Sequence, residues 1–211
     1  MGTSETVVRA AGRADLKAAS AMLARAFEDD PPFMWILPDA AVRPRRLRHF
    51  FATTLRWEAL RHGGVEVAVS VSDGRIVGAT LWLPPGHWHP SIGRQALELP
   101  GMLRAFGKRS LRGATFQSAA VRAHPSEPHW YLYVIGVDPR EQGSGVGAAL
   151  LRSRLDRCDA SGHAAYLESS KLSNVPLYEH FGFVPTGTLA LPKGAPTMTT
   201  MWRAPAVPAG S

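Results

Sequence analysis

Cysteine is almost absent: Cys158 is the only one in 211 residues. No intrachain disulfide can form, and the chain suits a reducing compartment, which points to the cytoplasm. No apolar run approaches the ~20 residues a membrane-spanning helix needs, so no membrane role is expected. The opening Met1-Gly-Thr-Ser-Glu-Thr6 lacks the charged-then-apolar layout of a secretory leader. Gly2 and Thr6 fit the loose N-myristoylation pattern, but no basic cluster adjoins to supply a second anchor. Metal ligands are scarce too. His87 and His89 flank Trp88, and no cysteine or acid completes a set, so no metal is expected. Acidic residues are the minority charge, 17 against 24 Lys and Arg, for a net charge of +7. The basic groups are scattered (Arg43, Arg45, Arg46 and Arg48; Arg104, Lys108, Arg109 and Arg112) without a nucleic-acid motif. They read as a solvated basic face, and a nucleic-acid partner is not expected.

What remains is a globular composition, 45% hydrophobic, long enough for one sizeable core. Turn signals and periodicity divide it into strands and helices. Strands are expected at 7–10, 65–71, 75–83, 130–137, 164–169, 183–189 and 197–203. The second and third are joined by a hairpin at Ser72-Asp-Gly74. Helices are expected at 13–27, 43–61, 145–160 and 174–181, with an interrupted helical stretch at 91–123. The run Glu28-Asp-Asp-Pro-Pro32 should break the first helix. Cys158 shares an apolar helical face with Leu151 and Leu155, which places it in the core rather than in catalysis. This alternation predicts a single α/β domain over 6–203, and a disordered tail at 204–211.

The most informative stretch is Val134-Ile-Gly-Val-Asp-Pro-Arg-Glu-Gln142-Gly-Ser-Gly-Val-Gly147-Ala-Ala-Leu-Leu151. A β-branched run stops at Asp-Pro, a glycine-rich turn follows, and a helix begins at once. Such a turn leaves main-chain N–H groups unpaired at the positive end of a helix dipole, a seat for phosphate. Two cofactor classes compete for it. Gly143-x-Gly145-x-x-Ala148 formally fits the dinucleotide fingerprint, with Glu168 roughly 20 residues on. However, residues 138–142 separate strand from glycine, and too little chain follows Glu168 to build out a doubly wound sheet.

The second reading absorbs more residues. Gln142-Gly-Ser-Gly145-Val-Gly147 resembles the acetyl-CoA motif of the GNAT acetyltransferases, [Arg/Gln]-x-x-Gly-x-[Gly/Ala]. Asn174-Val-Pro-Leu-Tyr178-Glu-His-Phe-Gly182-Phe is similar to that family's second signature, and Val8-Arg-Ala with Asp15 to its opening. The puromycin N-acetyltransferases give the nearest pattern, around Glu127-Pro-His-Trp130, Leu167-Glu-Ser169 and Tyr178. The resemblance implies a mixed α/β sheet of six to seven strands, twisted, splayed and flanked by helices. It implies acetyl-CoA as cofactor and an amine as acceptor, on a small molecule or on a protein.

Under that resemblance, Gln142, Gly143, Ser144, Gly145, Val146 and Gly147 would hold the pyrophosphate, and Ile135, Gly136 and Val137 the pantetheine. Asn174 would bond the cofactor's amide region or cap the helix it opens. Tyr178 would protonate the departing thiolate as general acid, unless it merely packs against Phe181 and Phe183. The strand 130–137 contributes no carboxylate, so Glu168 is the candidate base, working through water. Tyr133, placed on one strand face with Tyr131 and Ile135, could order that water. His129 reads as an exposed residue just before the strand. Trp82, with His87, Trp88 and His89, is expected on an aromatic loop beside the acceptor. Asp30, Phe33 and Trp35 are expected to form the facing wall, with the acidic cluster attracting a cationic amine. C-terminal edge strands leave room for a homodimer.

Overall fold

The structure, a computed structural model, describes residues 5–59, 63–88 and 91–206. Among the described residues seven strands, numbered β1 to β7 in chain order, form one sheet in the order β1-β2-β3-β4-β5-β7-β6. β1 (Thr6–Ala10), β2 (Val65–Ser70), β3 (Ile76–Leu83) and β4 (His129–Val137) run antiparallel in sequence. β5 (Ala164–Ser169) lies parallel to β4, because α6 (Val146–Ala160) carries the chain back across the sheet between them. β6 (Val184–Thr188) and β7 (Thr199–Arg203) complete the sheet, β7 pairing antiparallel with β5. β6 is the outer strand. Its proline and the register break between Pro185 and Gly187 blunt that edge against pairing with a second copy.

Helices cover both faces. α1 (Leu16–Ala26) and α3 (Arg43–Ala59) bring Leu23, Leu47, Phe51 and Leu55 down onto one face, where all four are fully buried. α6 covers the other with Leu150, Leu151, Leu155 and Cys158. Cys158 is core, as its helical spacing implied, and burial pushes its thiol pKa up to about 11. Gly136 lets α1 approach the sheet. A Cβ there would meet Leu23 Cδ2 at 2.7 Å and Phe27 Cε2 at 3.0 Å.

Several expectations are corrected. The prolines at 31 and 32 do not simply end a helix; they open α2 (Pro31–Ile36), with Asp30 as its N-cap. Proline is suited to a first helical turn, where its missing N–H costs nothing. The stretch 91–123 resolves into α4 (Ile92–Phe106), a single 3-10 turn and α5 (Ser110–Ala123). α7 (Val175–His180) is the short helix before β6. His129 is not exposed before a strand; it opens β4 at 2% exposure. At the C-terminus, the Ala206 amide donates to Asp159 Oδ1 at 2.8 Å, while residues 207–211 lie outside the described residues.

Candidate functional site

The site begins where two strands part. β4 and β5 pair from His129↔Ala164 to Leu132↔Leu167 and no further. Beyond that point β4 keeps β3 on one edge, with Thr80↔Ile135, Ala79↔Gly136 and Gly78↔Val137, while its other edge is left open. A bulge sits at the parting. Leu81 faces Val134 and Trp82 faces Leu132, so Tyr133 is the extra residue. Tyr133 and Val134 consequently both pack toward α1 and α3, whereas Ile135 packs toward α6. Tyr133 and Ile135 therefore do not share a face, as simple alternation had suggested.

The open edge has a defined polarity. The Asp138 amide donates to Val77 O in β3 at 2.8 Å. Main-chain groups alternate along a strand, so those of Ile135 and Val137 point into the gap and those of Gly136 point toward β3. Ile135 and Val137 can bond an extended amide chain there. Gly136 contributes space for α1 instead.

The loop that follows is held by Asp138. Its Oδ1 accepts from the Arg140 amide at 3.2 Å, and Arg25 Nη2 donates to its Oδ2 at 2.6 Å. Burial works against the Asp138 charge, but Arg25 and the Arg140 amide hold its carboxyl below the usual range. Gly143 (φ +80°) and Gly145 (φ +90°) both occupy the left-handed region, and Gly145 is the N-cap of α6. Ser144 is committed internally: its amide and hydroxyl both donate to Glu141 O, at 3.3 and 2.5 Å. Among the described residues, the amides of Gly143, Gly145, Val146 and Gly147 have no internal acceptor. They form the unpaired cradle at the head of a 15-residue helix. A cleft of about 420 Å³ runs from Gln142 and Pro139 to Arg25 in α1, Asp29 just beyond it and Met34 in α2. The open edge and the unpaired amides fit a pantetheine arm and a pyrophosphate.

Two titratable groups meet the gap from opposite faces. Tyr178 on α7 packs with Leu132 and Leu167, the last pair of the β4–β5 ladder, on the α6 face. Phe183 meets its ring edge-on at 6.1 Å. Its hydroxyl makes no hydrogen bond among the described residues. Burial, and then the Asp30 carboxylate, hold its pKa far above that of a free phenol, so it keeps its proton at neutral pH. Glu168 projects from the other face, where Tyr131 Oη donates to its Oε2 at 2.5 Å. Burial raises its pKa to about 7, against the lowering pull of the Tyr131 hydroxyl. Its Oε1 is buried without a partner, as is the Tyr166 hydroxyl beside it. Asn174 precedes α7 but its side chain does not cap the helix. Its carboxamide remains available to a ligand.

The expected acceptor residues are dispersed. Trp82 is a strand residue of β3, fully buried against Leu151 and Leu155 under α6, and so cannot line an acceptor loop. Asp30 is 3% exposed and occupied: it caps α2 through the Phe33 amide and accepts from Ser170 Oγ. Burial lifts its pKa to about 6. Phe33 joins an aromatic lattice with Phe27, Phe50 and Phe51. Trp35 meets Phe116 and the Arg112 guanidinium. Tyr133 alone stands beside the gap, 5.7 Å from the Tyr131 ring. Trp88 stacks on His124 at 3.5 Å; His89 lies outside the described residues. A larger cleft, about 620 Å³, lies instead against Tyr166, Thr200 and Trp202, none of which stood out as a binding residue. The available signal was strand alternation, which puts Tyr166 on the face of Glu168. Among the described residues no group of His, Cys, Asp or Glu could hold a metal ion, and no helix is long and apolar enough to cross a membrane.

Residues 24–183 match the Acetyltransferase (GNAT) family. An uncharacterized N-acetyltransferase of Schizosaccharomyces pombe is 29% identical over 179 residues, spanning 81% of this chain and 71% of that protein. A mycothiol acetyltransferase of Streptosporangium roseum is 41% identical over 63 residues, 28% of this chain and 19% of that one. Among solved structures, a protein described as histone acetyltransferase HPA2 and related acetyltransferase, from Corynebacterium glutamicum, superposes with a TM-score of 0.74. The two are 30% identical, over 97% of this chain and 99% of that chain.

Proposed function

The chain belongs to the GNAT family and is an acetyl-CoA-dependent N-acetyltransferase; from that premise we propose that it acetylates the primary amine of a small molecule, in the cytoplasm, by direct attack. Acetyl-CoA supplies the thioester. The amides of Gly143, Gly145, Val146 and Gly147 hold the pyrophosphate, and Ile135, Val137 and Asn174 hold the pantetheine arm. Glu168 takes the proton of the incoming ammonium. A carboxyl pKa of about 7 suits that task, since a base works best when its pKa lies near the operating pH. Tyr178 gives its hydroxyl proton to the departing sulfur and recovers one from solvent.

The observation that carries this reading is that Tyr178 and Glu168 lie on opposite faces of one gap. The opening beyond Leu132 and Leu167 would admit a thioester between the Tyr178 and Glu168 side chains. Puromycin-like antibiotic amines are one member of the acceptor class. Calorimetry with acetyl-CoA, followed by thiol-release assays across an amine panel, tests the proposal. Binding with turnover of small amines is the expected result. Absence of binding at millimolar acetyl-CoA would remove the assignment of the loop. Tight binding without thiol release from any amine would identify a non-catalytic sensor, and turnover only on peptides a protein lysine or N-terminal acetyltransferase.

A further inference from the structure

The cleft of about 620 Å³ between the end of α5 and the β6–β7 pair has a chemistry of its own. Its size falls in the range of roughly 300–1,000 Å³ usual for small-molecule sites. No lysine or arginine lines it, although the chain carries a net charge of +7. Its floor is the aromatic pair Tyr166 and Trp202, directly opposed across β5 and β7, with Thr200 opposed to Glu168 one step along. Opposed residues share a face of the sheet, so this floor leads straight to the candidate base.

Tyr166 lines this cleft and Glu168 lies two residues further along the same strand face; behind the floor, Tyr166 Oη and Glu168 Oε1 are buried without a hydrogen-bond partner. Buried polar atoms of this kind normally have partners. A primary ammonium carries three N–H donors and can serve a carboxylate oxygen and a phenol lone pair together. At the outer end, Glu127 presents an exposed carboxylate to the cleft. The turn that carries it is fixed from below. His129 Nδ1 donates to Glu127 O at 2.6 Å, so that Nε2 accepts from His124 Nε2–H at 2.9 Å. Burial lowers the His129 pKa, consistent with this neutral tautomer.

We propose that this cleft selects a small aliphatic amine bearing a second cationic group. The reacting nitrogen sits between Glu168 Oε1 and Tyr166 Oη, and the far cation lies over Trp202 against Glu127. Two anionic ends, an aromatic floor and the exclusion of basic side chains are what such a molecule requires. The inference rests on the acetyltransferase reading above and narrows its acceptor.

Three acceptors of equal length separate the inference from that reading: 1,5-diaminopentane, pentylamine and 5-aminopentanoate. They share a reacting amine and differ only in the charge of the far end. The expected order of kcat/KM is cationic, then neutral, then anionic. Glu127→Gln narrows the preference for the diamine over pentylamine by about fivefold, as does high salt. Glu127→Lys turns the preference toward 5-aminopentanoate. A preference ratio unaltered by either substitution, or pentylamine turned over as well as the diamine, would overturn the proposal. So would transfer to other amines with none of these three accepted. Loss of acetyl-CoA binding itself would instead bring down the acetyltransferase reading, and this inference with it.

Discussion

The two sides of the β4–β5 gap are built on different principles. The side proposed for the cofactor is main chain: open strand edges at Ile135 and Val137, and the unpaired amides of Gly143, Gly145, Val146 and Gly147 at the head of α6. Its partners are fixed by backbone geometry, and its side chains matter mainly for staying out of the way. The side proposed for the acceptor is side chain. There Glu168, Tyr131 and Tyr166 converge from two strands, and two buried polar atoms are left unsatisfied. A backbone cradle binds one invariant chemical group; a side-chain cluster can be altered residue by residue. Substitutions on the acceptor side should therefore change rate and choice of amine, and those on the cofactor side the affinity for acetyl-CoA.

Glu168→Gln is the severest test of that division. Turnover should fall by about 10²- to 10⁴-fold, the usual worth of a positioned base, with acetyl-CoA affinity preserved. In the parent protein, the rate should rise with pH through a limb near pH 7, where Glu168 loses its proton. The same group has a stability signature. Its folded-state pKa is raised from 4.5 to about 7, so its contribution is fully present below pH 4.5 and is lost as pH rises through 7. Glutamine does not titrate. The melting temperature of Glu168→Gln should match the parent in acid and exceed it in alkali. A pH–rate profile without that limb would dissociate Glu168 from proton abstraction.

Tyr178→Phe probes the other face. The ring packing against Phe183 is retained and only the hydroxyl is lost. Turnover should drop by about 10- to 100-fold, less than for the base because water can protonate a thiolate in its place. Calorimetric affinity for acetyl-CoA should hold. An unchanged kcat would reduce Tyr178 to a packing residue.

These two sides were also unequally legible in the sequence. The strand, Asp-Pro stop, glycine turn and helix of 134–151 are consecutive, and each signal acts on its immediate neighbours; the loop could be placed before any coordinates. The cleft proposed for the acceptor joins the end of α5 to β5, β6 and β7, residues far apart in the chain that the register Tyr166↔Trp202 helps bring together. The facing of Tyr133 relative to Ile135 was hidden for a related reason. A bulge is a mismatch between two strands, and β4 read alone shows unbroken alternation. Asp30 and α2 were hidden by chemistry with two meanings, since Pro31-Pro32 after an aspartate can end one helix or begin the next. Trp82 was grouped with His87, Trp88 and His89 on an aromatic loop, whereas the buried face of β3 claimed it.

The finest test of the comparison lies within the loop itself, between Gly145 and Gly147. Gly145 stands at φ +90°, where a side chain is strained whatever the space around it. Alanine there should cost about 1–2 kcal/mol of stability and distort the amide cradle, weakening acetyl-CoA together with the fold. Gly147 has no such need. A Cβ there would meet Val137 Cγ2 at 3.6 Å, an ordinary contact inside a helix, where alanine is the better residue. Gly147→Ala should leave the melting temperature the same or slightly higher. Any loss of acetyl-CoA affinity in that variant then reports the added methyl against the ligand alone. A loss of a few fold by calorimetry, without destabilisation, would place the pyrophosphate against the first turn of α6. Unchanged affinity would move the contact back to Gly143 and Gly145, and leave the helix head as a source of field rather than of hydrogen bonds.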